Sequence, residues 1–186
     1  MQPILIFLND LQRGTPMNAP ECYEQYPRWI VAISVGLSLA IYAIGAVILA
    51  RFGILYLIAF LAYCAWVEFK VMKTSCVRCY YYGKRCGTGK GILCSLFLKK
   101  IEEGDRKRTM TWKDLLPDLL VFLFPFVGAL ILMWMEFRWL VLFFLILLIV
   151  LAFNGNGYVR KNLLCRYCRQ KILGCPAAEF FQSHVG

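Results

Sequence analysis

The chain has 186 residues, 60% of them hydrophobic, with a mean hydropathy of +0.61 and a formal net charge of +10. A composition this apolar excludes an ordinary soluble domain. The only histidine is His184, close to the C-terminus, which leaves no Ser/His or Cys/His catalytic pair.

Residues 1–28 read as an N-terminal interfacial segment. The apolar run 3–8 is too short for a signal-peptide core, and no basic stretch precedes it. Gly and Pro then punctuate the chain as far as Pro27. The first predicted span is 29–50, where 22 positions carry no charge; crossing a bilayer takes about 20. Residues 52–67 are also uncharged and reach spanning length if Glu68 sits at the interface. Only residues 51–53 separate the two spans, which predicts a tight helical hairpin.

Cys76, Cys79 and Cys86 follow, spaced C-x2-C-x6-C, with Cys94 eight residues further on. Ile92, Leu93, Leu96, Phe97 and Ile101 fall at helical spacing and predict a short helix lying in the interface, apolar face down. Residues 102–108 read as a charged, solvated turn, and Thr111 or Asp114 as a cap for the next helix. Residues 119–135 are a third uncharged stretch, of 17 residues, and 139–159 a fourth, of 21. Cys165, Cys168 and Cys175 then repeat C-x2-C-x6-C without a gap, and His184 lies nine residues beyond. Phe180 and Phe181, like Tyr80, Tyr81, Tyr82 and Tyr167, suit the headgroup region.

The predicted fold is an all-α integral membrane protein with four transmembrane helices arranged as two tandem hairpins. Each hairpin is followed by a cytoplasmic cysteine cluster. Residues 29–86 and 116–175 form the two units, 87–115 the interfacial helix and basic linker, and 176–186 the tail. Cys76 and Cys165 lie 89 residues apart, and the two hairpin turns align to within a few residues at that offset. An even number of spans per unit makes the repeat parallel, related by an axis along the membrane normal. Of the 21 Lys and Arg, 19 fall on the side that holds the N-terminus, the central loop and the tail. The positive-inside rule places that side in the cytoplasm, beside anionic lipid headgroups. The charge excess is assigned to this topology rather than to nucleic acid.

Cytosolic thiols stay reduced, so structural disulfides are not expected and metal or redox chemistry remains. A tetrahedral zinc site takes four soft ligands. Cys76, Cys79, Cys86 and Cys94 supply one such set, and Cys165, Cys168, Cys175 and His184 a second. The bland alternatives are that Cys94 is a buried packing residue and His184 part of a loose tail. The doubled C-x2-C-x6-C also resembles the half-motif of the fungal binuclear zinc clusters, in which six thiolates share two ions. That resemblance covers only the two eleven-residue windows, here 78 residues apart, and carries no DNA-binding role.

Zn2+ is the expected ion, in a structural module for interaction or assembly with a cytosolic or membrane partner. One alternative is an iron–sulfur electron-transfer subunit, although the usual ligand run is absent and the second set would have to borrow Cys22 or accept His184. The others are a thiol-dependent redox enzyme and a metal-handling protein, but the outer turns lack the cysteines such a redox enzyme needs. The glycines around Lys90 match no phosphate-binding loop. Glu68 and Asp118, at span ends, are expected to pair with a base such as Lys70 or Lys113. Cys64 is expected to pack inside the second span.

Overall fold

The computed structural model describes residues 22–101, 112–135, 137–171 and 175. Helices α1 (Arg28–Ala50) and α2 (Ile54–Thr74) form the first hairpin, and a 3-10 turn at Cys76–Arg78 prolongs α2. The short α3 (Lys90–Phe97) comes next. Helices α4 (Trp112–Met135) and α5 (Trp139–Cys165) form the second hairpin. Among the described residues the only extended pairing is one parallel bridge between Tyr23 and Cys168. The fold is all-helical, and α1, α2, α4 and α5 are long and apolar enough to cross a membrane.

The first reversal is made by the backbone. Phe52 and Gly53 donate their N–H groups to Leu49 and Ala50, which closes α1. Gly53 then takes φ +129°, a conformation strained for any L side chain, and α2 starts at once. Helix α1 is central, packing on α2, α4 and α5, while α2 also packs on α4. One cluster joins Ile44, Ile48, Ala129, Val141, Leu145 and Leu148, and another joins Leu49, Phe60, Cys64, Val67 and Val121. Cys64 is a packing residue, as its position in an apolar run implies.

No more than 28% of the apolar stretch of any of these helices is buried by protein. Leu39, Leu55, Trp66, Leu130, Phe143 and Ile146 face outward. Such a surface in water would be a large exposed patch, whereas hydrocarbon solvates it at no cost. Helix α3 has the same character on a smaller scale. Leu96 and Phe97 are 72% exposed while Gly91 and Cys94 are buried, so one face of the helix is apolar and open; the helix ends at Phe97, before Ile101.

Helix α5 runs further than the apolar pattern implies, for 27 residues to Cys165, through π-helical turns at Val150–Gly155 and Val159–Cys165. Its last turns carry Asn156, Arg160 and Lys161, which break the apolar run without ending the helix. Arg160 Nε donates to Asn156 Oδ1 at 2.9 Å, a one-turn bond that keeps those polar groups on one face.

Candidate functional site at the cysteine end of the bundle

Residues 22–27, the 75–101 loop and the end of α5 meet at one end of the bundle. Tyr23 N–H donates to Tyr167 O and Tyr26 N–H to Arg85 O, both at 3.0 Å. The Tyr26 hydroxyl donates to Leu164 O at 2.6 Å and the Tyr81 hydroxyl to Tyr23 O at 2.6 Å. Tyr26, Ile30, Tyr81, Cys86, Val159 and Leu164 form a buried cluster on which Cys79 and Cys168 also pack. Residues 22–27 are therefore a strap wedged between the two cysteine segments. Tyr81 is 2% exposed and packs against protein rather than the headgroups expected for it.

The two C-x-x-C segments carry the same hydrogen bonds. Cys79 N–H donates to Cys76 O (3.2 Å) and Cys168 N–H to Cys165 O (3.4 Å). Three residues on, Tyr82 N–H donates to Cys79 O (3.1 Å) and Lys171 N–H to Cys168 O (3.2 Å). The Tyr81 N–H is directed at the Cys79 sulfur, and the Gln170 N–H, with that of Lys171, at the Cys168 sulfur. Each partner in the second segment sits 89 residues after its counterpart, the offset of the cysteines themselves.

Cys86 is held by a loop shaped for it. Its sulfur accepts the Gly91 N–H at 3.1 Å and lies 3.3 Å from Thr88 Oγ1. Gly91 permits this because a Cβ there would stand 2.4 Å from both Tyr81 O and Lys84 O. Burial pushes the Cys79 thiol up to about 12, against the pull of the Tyr81 N–H, and raises Cys168 as well. The thiols of Cys168, Cys86 and Cys175 stand close enough to Cys79 to add to that rise. Cys76 interacts with Cys86, Cys94 and Cys79, and Cys165 with Cys168 and Cys175. Cys22 stands near Tyr81.

Of the eight expected ligands, seven are gathered at this end of the bundle, and His184 lies outside the described residues. So do the terminal run 3–8, the turn 102–108, Thr111, the Asp114 side chain, Phe180 and Phe181. Cys94 is fully buried, its S–H directed at Met72 O at 3.8 Å. Among the described residues no three His, Cys, Asp or Glu side chains form a group arranged to hold a metal ion.

Below the cysteines lies a polar cluster. Glu68 accepts the Tyr42 hydroxyl at 2.5 Å and pairs with Lys90 Nζ at 2.5 Å. Its base is thus Lys90 at the start of α3 and not Lys70, whose ammonium stands 5.5 Å over the Trp66 ring.

Sequence reasoning missed Tyr23, Tyr26, Lys90 and Gln170. No local signal marks them, because each acts on a segment distant in the chain. The chain matches no family model, no curated protein and no solved structure.

Proposed function

We propose that this is a multi-pass membrane protein whose cysteine end is a metal-binding module, with Zn2+ as its ion and a structural role in assembly or protein interaction. The module would consist of two tandem hairpin units, each closed by its C-x2-C-x6-C segment. It would face the cytoplasm with the N-terminus, central loop and C-terminus, its basic surface against anionic headgroups. One observation carries the reading: the Cys86 sulfur accepts the Gly91 N–H at 3.1 Å, and neighbouring backbone N–H groups also pull the Cys79 and Cys168 thiols down against their burial. Donors so placed favour a negative sulfur. Burial holds the Cys79 and Cys168 thiols above their ordinary range, which weighs against a reactive thiol at those two positions. A cation among them would reconcile the two demands, since it supplies the charge that a buried thiolate needs. The residues present fit zinc by chemistry, soft sulfur donors in a reducing compartment, and binding would draw together thiols that do not yet surround a point.

Protein purified without oxygen and assayed for metal tests this. Stoichiometric zinc, with loss of structure on chelation, supports it. A brown protein with visible charge-transfer bands replaces zinc by iron–sulfur. Absence of both metals, with rapid alkylation of Cys79 and Cys168, overturns the metal reading.

A further inference from the structure

Near its cysteine end, helix α5 turns one side to the bundle and another outward. Gly155 packs on α1, where a Cβ would meet Leu37 Cδ1 at 3.2 Å, and Arg160 Nε is engaged with Asn156 Oδ1 at 2.9 Å. The side spaced at four residues, 153–154, 157–158 and 161–162, instead borders an open concavity of about 720 Å3. Its lining includes Phe153, Asn154, Gly157, Tyr158, Lys161 and Asn162. Phe153 is 61% exposed and meets Phe122 of α4 edge to face, ring centroids 5.2 Å apart, which steadies one wall. Gly157 is the floor, with nothing within 4 Å of a Cβ placed there. Asn154, Tyr158 and Lys161 are exposed. The concavity spans the junction of the two π-helical segments, and such wide turns frequently occur at functional sites.

Depth narrows the ligand. Trp139 opens the helix and is exposed, a residue that favours the boundary of a bilayer. From there a hydrocarbon core of about 30 Å takes up roughly 20 helical residues, as far as the neighbourhood of Tyr158. Asn154 would then lie just inside the hydrocarbon, and Lys161 just outside it among phosphates and glycerol esters. An exposed amide at that depth meets no water, so it needs a polar partner reaching down from the headgroups.

We propose that this side of α5 seats one anionic phospholipid of the leaflet on the cysteine side. The Lys161 ammonium takes the phosphodiester, with the Asn162 amide donating beside it. The Asn154 amide donates to a glycerol ester carbonyl deeper in the bilayer. Phe153 and Tyr158 flank the first part of an acyl chain, and Gly157 leaves room for the glycerol backbone. Charge favours an anionic headgroup over a zwitterionic one, because among the described residues the lining holds a cation and no carboxylate. The volume falls within the range of roughly 300–1,000 Å3 that small-molecule sites occupy. The proposal rests on the membrane part of the reading above, narrows its general attraction for anionic headgroups to one seat, and is independent of any metal.

The test is lipid retention by the full chain in mild detergent, read by native mass spectrometry. Palmitoyl-oleoyl phosphatidylglycerol and the matching phosphatidylcholine are offered at equal concentration. Wild type should hold one phosphatidylglycerol per chain in preference to phosphatidylcholine. Gly157→Leu fills the floor where nothing stands to clash, so it should fold, keep its melting temperature and lose the lipid. Lys161→Gln should weaken retention about fivefold, the weight of one basic residue beside an anionic surface. Lys99→Gln, at an exposed basic residue outside the seat, should leave it unchanged. Wild-type retention in Gly157→Leu, or equal weakening by Lys99→Gln, would mean diffuse attraction and overturn the seat while leaving the membrane reading in place. A dimer of the chain that Gly157→Leu splits would give this side of α5 to a neighbouring helix and overturn the seat equally. Release of wild type from membranes by alkaline carbonate would instead remove the membrane reading itself.

Discussion

The hydroxyl of Tyr26 donates to the carbonyl of Leu164 at 2.6 Å, joining residues 138 positions apart in a buried contact. Leu164 is in the last turn of α5, where carbonyls lack helical partners, so the phenol satisfies a group that would otherwise be stranded. Tyr26→Phe should keep the ring packing and lose this bond. The expected cost is about 1–3 kcal/mol, read as a lower melting temperature in detergent. An unchanged melting curve would remove the strap from the account of stability.

Gly91→Ala would place a methyl group 2.4 Å from two carbonyl oxygens. The loop must move, withdrawing the N–H from the Cys86 sulfur. We expect about 1–3 kcal/mol of destabilisation and a lowered zinc content, measured on the same preparation. Full zinc occupancy in a folded Gly91→Ala protein would show that the N–H contact is dispensable.

The pair Lys90–Glu68 is about a quarter exposed on each side, so its net contribution is small despite the 2.5 Å approach. Lys90→Met and Glu68→Gln, singly and together, should give a coupling of about 1 kcal/mol or less in a double-mutant cycle. A coupling several times larger would mean that the pair is shielded from water in the membrane.

Stability should fall at high pH. Burial pushes the Tyr81 phenol up to about 12 from an ordinary 10.0, and it raises Tyr26 as well. Between those values the folded state holds protons that the unfolded chain has released. The stabilisation is therefore complete below pH 10 and is lost as pH rises towards 12 and beyond. Melting temperatures at pH 8, 10 and 11 check the sign; a rise over that range would contradict it.

Single cysteines added at position 51 or 99 of the otherwise native chain should report topology, read as labelling above that of the unsubstituted protein. In intact cells a membrane-impermeant maleimide should label Arg51→Cys and spare Lys99→Cys until the membrane is opened. The reverse pattern would invert the orientation proposed from the basic loops.

The four helices were legible because uncharged runs of about 20 residues have few alternatives, and short turns leave only hairpins. The end of α5 was not, since Asn156, Arg160 and Lys161 interrupt the apolar signal on which a span is recognised. Tyr81 was placed at the headgroups because aromatic residues in a basic loop commonly sit there. Its burial depends on Tyr23 and Arg169, which no local pattern can announce. The cysteine spacing predicts two equivalent segments but not how they face one another. That arrangement emerges only from the bonds of Tyr80 and Tyr81 to Gln170 and Arg169.

Lys90 and Gly91 are consecutive, and they look in opposite directions. One grips a carboxylate among the helices, while the other offers its amide to a sulfur above them. A single peptide unit thus gears the cap to the bilayer interior. The sulfur end and the carboxylate of α2 are thus tied to neighbouring residues of one loop.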